Sequence, residues 1–368
     1  ADINSRLEEL KAKLSIQGAG QHVTVVFETV RKNLPDLLNL MRDVLRSPSF
    51  AASEFDLLVK ENLAQIESQR SEPQALADQA RSQAHNALYK KGDVRYQPSF
   101  DEAIADVKAA KLDELKQFHK TFYGANHAEL ALVGDFDSAA VKKQLSAILG
   151  DWKSTAKYAR VALLAQPVKS STKTIETPDK ANAFYIADQA IKLNDESSDY
   201  AAVLVVNRIL GGSVKSRMID RLRQKEGISY GAGSFVQVSP YKEEVSSMGL
   251  YALYAPQALG RVQAAVKQEL ERFVKDGVTD EELQDAKQGL AQERNVGRAQ
   301  DARLAGTLVG QLQQGRTMTL TAAVDAKIAA LSLAEVNAAL RKYVKADGFS
   351  NYYAGDFAGA AAAAVGKK

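Results

Sequence analysis

The chain has 368 residues, room for about two domains of ordinary size, and its 48 Lys plus Arg against 45 Asp plus Glu leave a net charge of only +3. Spread over 39.9 kDa, that charge gives no electrostatic case for a polyanion such as nucleic acid. Cysteine is absent, which excludes thiolate chemistry, disulfides and Cys-rich zinc sites, and the longest apolar runs, such as AAVLVV at 201–206, fall far short of the roughly 20 residues a membrane-spanning helix needs.

Leu7, Leu10 and Leu14 predict a helix over 2–16, with Asp2 or Asn4 as its cap. In HVTVVFET, Val23, Val25 and Phe27 alternate with Thr24, Val26 and Glu28 and predict a strand. Leu34, Leu37, Leu38, Met41, Val44 and Leu45 then form a helical stripe, with Pro35 tolerated in the first turn. Helices over 51–72 and 73–90 are divided where Ser71, Glu72 and Pro73 break the pattern. A helix at 111–123 leads to a strand at 128–134, and a helix at 137–149, capped by Asp137 or Ser138, closes the first unit.

Residues 153–170 hold no sustained period and predict a linker. Beyond it come strands at 172–177 and 182–188, helices at 198–210 and 215–225, strands at 229–238 and 244–254, and helices at 258–275, 279–298 and 333–344. The tail AGAAAAAVGKK, 358–368, has no packable face and is expected to be flexible. Strands cluster instead of alternating with helices. That favours an α+β fold, each domain a largely antiparallel sheet covered by helices on one face.

The chain repeats itself. Residues 111–136 lie over 332–357 without a gap, so that Gly134, Asp135 and Phe136 meet Gly355, Asp356 and Phe357 at a shift of 221. KENLAQ at 60–65 meets KQGLAQ at 287–292 at a shift of 227. A fixed period of this length is the signature of duplicated domains. The expected domains are 1–152 and 171–357, joined by the linker 153–170. If the second copy opens near residue 171, the first would open about fifty residues before Ala1, so the first domain is expected to be truncated.

The densest set of candidate functional residues is GGSVKSRMIDRLRQKEGISYGAGS, 211–234. Ser213 or Ser216 can cap a helix that Gly227 ends, and a strand follows at once. Arg223 in the last turn and Tyr230 on the strand could therefore converge on one acceptor, as suits a peptide carbonyl or an oxyanion. The same residues also permit a plainer arrangement, with Arg223 paired to Glu226 and Tyr230 packed as an ordinary strand aromatic. No phosphate-binding loop surrounds Gly211 and Gly212. The four histidines, His22, His85, His119 and His127, form no H-x-x-E-H or H-E-x-x-H pair, so no metal site is expected in this chain. No nucleophile elbow G-x-S-x-G is present either.

ILGGSVKSRMIDRLRQKEGISYGAGS resembles the signature of the pitrilysin/insulinase family of zinc peptidases, the inverzincins, which includes the mitochondrial processing peptidases. LRSPSF at 45–50, YGANHAELALVGDFD at 123–137 and the duplication fit the same family. The resemblance implies a clamshell of two halves, each made of two homologous α+β domains. It also implies a zinc-binding H-x-x-E-H and a later glutamate in the N-terminal half, and a substrate-binding Arg and Tyr in the other. Arg223 and Tyr230 match that pair.

The family's zinc helix corresponds here to DYAAVLVVNRIL, 199–210, which has no His or Glu, while its first-copy counterpart would precede Ala1. Where a third zinc ligand would fall, 54–67 offers only Glu54, Glu61 and Glu67.

The resemblance therefore implies a non-catalytic C-terminal half that binds peptide or unfolded protein. Zinc would sit in a partner half, on the same polypeptide or a separate subunit, and the chain alone would be inactive. Two alternatives stay open: a clipped catalytic half whose motif lies upstream, or a non-proteolytic structural subunit. Bacterial periplasm and cytoplasm are both compatible, and the resemblance slightly favours the periplasm.

Overall fold

A computed structural model describes residues 3–165 and 169–365. The cap candidate Asp2, residues 166–168 of the expected linker and 366–368 of the expected tail lie outside the described residues. The first elements along the chain are α1 (Ile3–Glu9), β1 (Lys13–Ala19), β2 (His22–Glu28), α2 (Leu34–Arg46), α3 (Ala52–Gln69), α4 (Pro73–Gln83), α5 (Phe100–Ala109), α6 (Leu112–Phe122) and α7 (Ser138–Leu149). Then come β3 (Thr172–Glu176), β4 (Ala183–Ile191), α8 (Tyr200–Leu210), α9 (Arg217–Ile219), β5 (Ser229–Gln237) and β6 (Ser246–Tyr254). The last are α10 (Leu259–Asp276), α11 (Asp280–Arg298), α12 (Asp301–Gln313), α13 (Met318–Ala330), α14 (Leu333–Tyr343), β7 (Ser350–Gly355) and α15 (Phe357–Val365). They gather into two compact units: Ala1–Ala64 with Glu102–Val161 and Leu304–Val309, and Gln65–Asp101 with Ala162–Arg303 and Gly310–Lys368.

The first unit holds one antiparallel hairpin, β1 with β2, in register from Lys13↔Glu28 to Ala19↔His22. The helix expected over 2–16 stops at Glu9, because Lys11 takes a positive φ of 48° and the chain returns as β1. Leu14 thus lies opposite Phe27 on a strand. The core forms where Leu34, Leu38, Met41 and Leu45 of α2 meet Ile148 of α7, with Leu14, Val25, Phe27 and Leu132 packed against them. Asp137 caps α7 by accepting a hydrogen bond from Ala140 N at 2.9 Å.

The strand expected at 128–134 does not form. A strand needs a neighbour, and the sheet of this unit consists of β1 and β2 alone among the described residues.

The second unit holds a five-stranded sheet in the order β3-β7-β4-β6-β5. Only the β3–β7 pair is parallel. On one face, Ala183, Tyr185 and Ala187 join Leu250, Ala252 and Tyr254 beneath α8, α10 and α14, whose Val203, Val206, Leu210, Phe273 and Leu340 are fully buried. Each such side chain contributes about 1.5–3 kcal/mol of transfer free energy.

The other face departs from the expectation of helices on one side only. Phe184 and Ile186 of β4 and Tyr352 and Ala354 of β7 are covered by Ala77 and Ala80 of α4. The physical reason is legible in β4, where six successive residues from Ala183 to Asp188 are buried: a strand covered on both faces loses its alternation. Residues 357–365 also depart from the expected flexible tail. They form α15, whose first N–H groups are engaged, since Glu176 accepts from Phe357 N (3.1 Å) and Ala358 N (3.2 Å) and Asp356 accepts from Gly359 N (2.9 Å).

Candidate functional site

The site is built where α8 hands the chain to α9 and β5. α8 is apolar almost all round, and Ala201, Ala202, Val203, Val205, Val206, Ile209 and Leu210 are buried. It carries no metal-binding side chain. At its end Gly211 presses on β5 so closely that a Cβ would overlap the Ser234 backbone nitrogen. Ser234 Oγ, 2.8 Å from Asn207 Oδ1 and 3.0 Å from Asn207 O, fastens the same contact.

The helix expected at 215–225 is a hybrid. Ser216 takes the N-cap position of α9, but its Oγ makes no cap bond and is buried without a partner. After Ile219 the chain widens into a π-helix, Asp220–Lys225. Glu226 N donates to Arg221 O at 3.2 Å, Ile228 N to Leu222 O at 2.9 Å, and Gly227 turns the chain with a φ of 61°. Single π-turns of this kind are uncommon and frequent at functional sites.

The wide turn decides the ion pairing. Arg217 forks onto Glu282 (2.6 and 2.7 Å), Arg221 reaches Glu226 at 2.8 Å, and Lys225 reaches Asp220 at 2.6 Å. Glu226 also takes Arg261 at 3.3 Å. The plainer arrangement, with Arg223 on Glu226, is therefore not the one adopted. Arg223 is exposed and, among the described residues, the one basic residue between 217 and 225 with no acidic partner.

Tyr230 is set apart by a different device. The β5–β6 register steps from Ser229↔Tyr254 to Gly231↔Leu253, so Tyr230 is the extra residue of a β-bulge. Bulges re-aim side chains, and this one leaves Tyr230 64% exposed. Ser229 braces it: its Oγ lies 2.8 Å from Gly231 O and 2.9 Å from Leu253 O and accepts from Gly231 N at 3.2 Å. Sequence reasoning missed Ser229 and the bulge, although the glycines at 231 and 233 are the usual local signal for one. Arg223 and Tyr230 thus stand on either side of the Gly227 turn, both exposed and both with free donors.

Burial has a different effect on the phenols behind them, pushing Tyr353 up to about 12 and Tyr254 higher still, so the core tyrosines stay neutral.

The histidines serve local structure. His119 Nε2 donates to Leu45 O at 2.7 Å and its ring packs among Phe50, Tyr123 and Trp152. His85 lies 3.4 Å from Asp188, and His127 stacks near Tyr158. His22 opens β2 opposite Ala19. Glu54, Glu61 and Glu67 are all exposed on α3. Among the described residues no group of three or more His, Cys, Asp or Glu could hold a metal ion, so the residues present do not fit zinc. No helix among them is long and apolar enough to cross a membrane.

Residues 109–290 match the description peptidase M16 inactive domain. They belong to the M16 peptidases. The chain is 23% identical over 290 residues to the non-peptidase homolog YmxG of Helicobacter pylori, covering 77% of this chain and 63% of that one. It is 21% identical over 299 residues to an uncharacterized zinc protease of Streptomyces coelicolor, covering 77% and 61%. The chain thus spans less than two thirds of the length of these relatives. Among solved structures, an M16 inactive domain from Pseudomonas fluorescens superposes with a TM-score of 0.79 at 24% identity, covering 96% of this chain and 83% of that one. A protease from Helicobacter pylori does so with a TM-score of 0.79 at 15% identity, covering 96% and 84%. At these identities the structural likeness establishes the M16 fold alone, and the insulinase-type resemblance drawn from residues 209–234 is borne out.

Proposed function

We propose that this chain is the substrate-binding, non-catalytic half of an insulinase-type zinc peptidase. In this reading the chain comprises two tandem homologous domains, 1–152 and 171–357. Arg223 holds the backbone of an extended peptide by hydrogen bonds to a carbonyl, and Tyr230 donates to the oxygen that gains charge as the peptide bond is attacked. Zinc held by the partner half would supply the activated water, and among the described residues no group of side chains is placed to hold that metal. The observation that carries the reading is the unpaired state of Arg223 beside three neutralised neighbours. An exposed cation left free while acidic groups lie within a few residues is available to a ligand.

In the enzyme reassembled with its zinc-bearing half, Tyr230→Phe and Arg223→Ala should each lower turnover of unfolded peptide about 100-fold or more, the effect of one oxyanion donor. Folding and assembly should be unchanged, since neither side chain has a partner to lose. Unchanged turnover in both variants would remove the catalytic role. The name of the Helicobacter pylori relative, a non-peptidase homolog, supports a second reading in which the same two residues hold a peptide without chemistry. Peptide affinity that drops in the variants, with no turnover in any assembly, would favour it.

A further inference from the structure

We infer that the peptide side chain next to the carbonyl held by Tyr230 is a large apolar one, seated on an open floor formed by Leu253 and Tyr251 of β6 and by Gly231 and Gly233 of β5. The inference rests on the substrate-binding reading above and adds a substrate class to it. Cross-strand partners share one face of a sheet. Gly231 lies opposite Leu253 and Gly233 opposite Tyr251, and across β6 the partners of Leu253 and Tyr251 are Phe184 and Ile186 of β4. All six therefore belong to the face that α4 covers. The cover ends part-way across it. Phe184 and Ile186 are buried against Ala77 and Ala80, whereas Tyr251 and Leu253 are 40% and 37% exposed.

Both glycines shape this floor. At Gly231 a Cβ would meet nothing within 4 Å, so the space beside Leu253 is empty. At Gly233 a Cβ would fall 2.8 Å from the Tyr251 ring, so only glycine lets that ring lie against β5. Neighbouring positions on one face of a strand are roughly 7 Å apart, a span that fits one aromatic or branched aliphatic side chain. Neither Ser229–Gln237 nor Ser246–Tyr254 contains an acidic or basic residue, so a charged side chain placed there would lose water and gain no partner. Apolar surface beside a few well-placed polar groups is the usual make-up of a binding site. The polar groups are at hand, because the bulge that presents the Tyr230 phenol ends at the Gly231–Leu253 pair. A peptide whose carbonyl meets that phenol brings a neighbouring side chain over Gly231.

The test measures peptide affinity by fluorescence anisotropy in the protein assembled with its partner half, with zinc chelated so that nothing is cut. The probes are short unstructured peptides carrying phenylalanine, alanine or aspartate in turn at each position. At one position phenylalanine should bind about 10-fold or more tighter than alanine, and aspartate no tighter than alanine. Gly231→Val, which fills the floor with a residue that strands accept, and Leu253→Ser should each bring the phenylalanine-to-alanine ratio to about 2-fold or less. Leu312→Ser, at a leucine of α12 that is 49% exposed, should leave the ratio unchanged. The inference is overturned if no position favours phenylalanine in the unaltered protein, if a folded Gly231→Val or Leu253→Ser protein keeps the ratio, or if Leu312→Ser loses it equally. Where one floor variant does not fold, the other decides. Arg223→Ala should weaken every peptide by the same factor and leave the ratio alone, so unchanged affinity in that variant sinks the substrate-binding reading and not the floor.

Discussion

The two units use similar helical stripes and reach different degrees of closure. In the unit built on β4, the sheet is covered on both faces and α14 sinks Val336, Leu340 and Tyr343 into a shared core. In the unit built on β1 and β2, α2 and α7 close over one small cluster while α6 keeps two phenylalanines in solvent. An apolar stripe states which side of a helix favours cover; whether cover exists depends on sequence elsewhere.

The contrast breaks first if local stabilities prove equal. Amides of β4 and β6 should exchange about 1,000-fold more slowly than those of β1 and β2, roughly 4 kcal/mol of protection, and matching rates would show that the small core suffices. Next in size, Gly211→Ala should destabilise the second unit by about 3 kcal/mol and lower its Tm by roughly 6–12 °C, because the new methyl meets the β5 backbone. Gly18→Ala in β1, where a Cβ meets nothing within 4 Å, should shift stability by under about 0.5 kcal/mol. A similar loss in both would mean that packing density does not separate the units.

Ser229→Ala removes the brace of the bulge and should cost about 1 kcal/mol by chemical denaturation, while lowering turnover in the assembled enzyme more than stability alone explains. The smallest effect is in acid. Burial raises the Glu282 pKa, but the Arg217 fork and the Thr279 amide outweigh it and hold the carboxyl below its usual 4.5. A depressed carboxyl stabilises the fold fully above the unfolded value and progressively less as pH falls through the folded one. Glu282→Gln should therefore remove about 1 kcal/mol at neutral pH and flatten the loss of stability below pH 4.5. In the first unit Arg31–Asp135 is exposed on both sides, so Asp135→Asn should leave the denaturation midpoint nearly unchanged.

Much of the architecture was legible from periodicity: β2, α2, β6, α10 and α14 follow stripes that need only their own residues. What escaped depended on neighbours. Residues 128–134 carry strand chemistry and no pairing, and α4 packs through alanines too small to mark a buried face. α12 and α13 lie between predicted helices, and α13 buries only Val324 and Ile328. At the site, Arg223 and Tyr230 were visible as residue types at a helix-to-strand break. Their freedom was not, because it follows from a π-turn that hands Glu226 to Arg221 and Arg261, and from an inserted strand residue.

That inserted residue has a second consequence. β5 is the outermost strand of its sheet, and an outermost strand offers its free N–H and C=O groups to any passing chain. With Tyr230 out of step, the row is interrupted at its start, so two molecules cannot zip along it from end to end. The same irregularity that presents a phenol to solvent also interrupts the edge of the sheet.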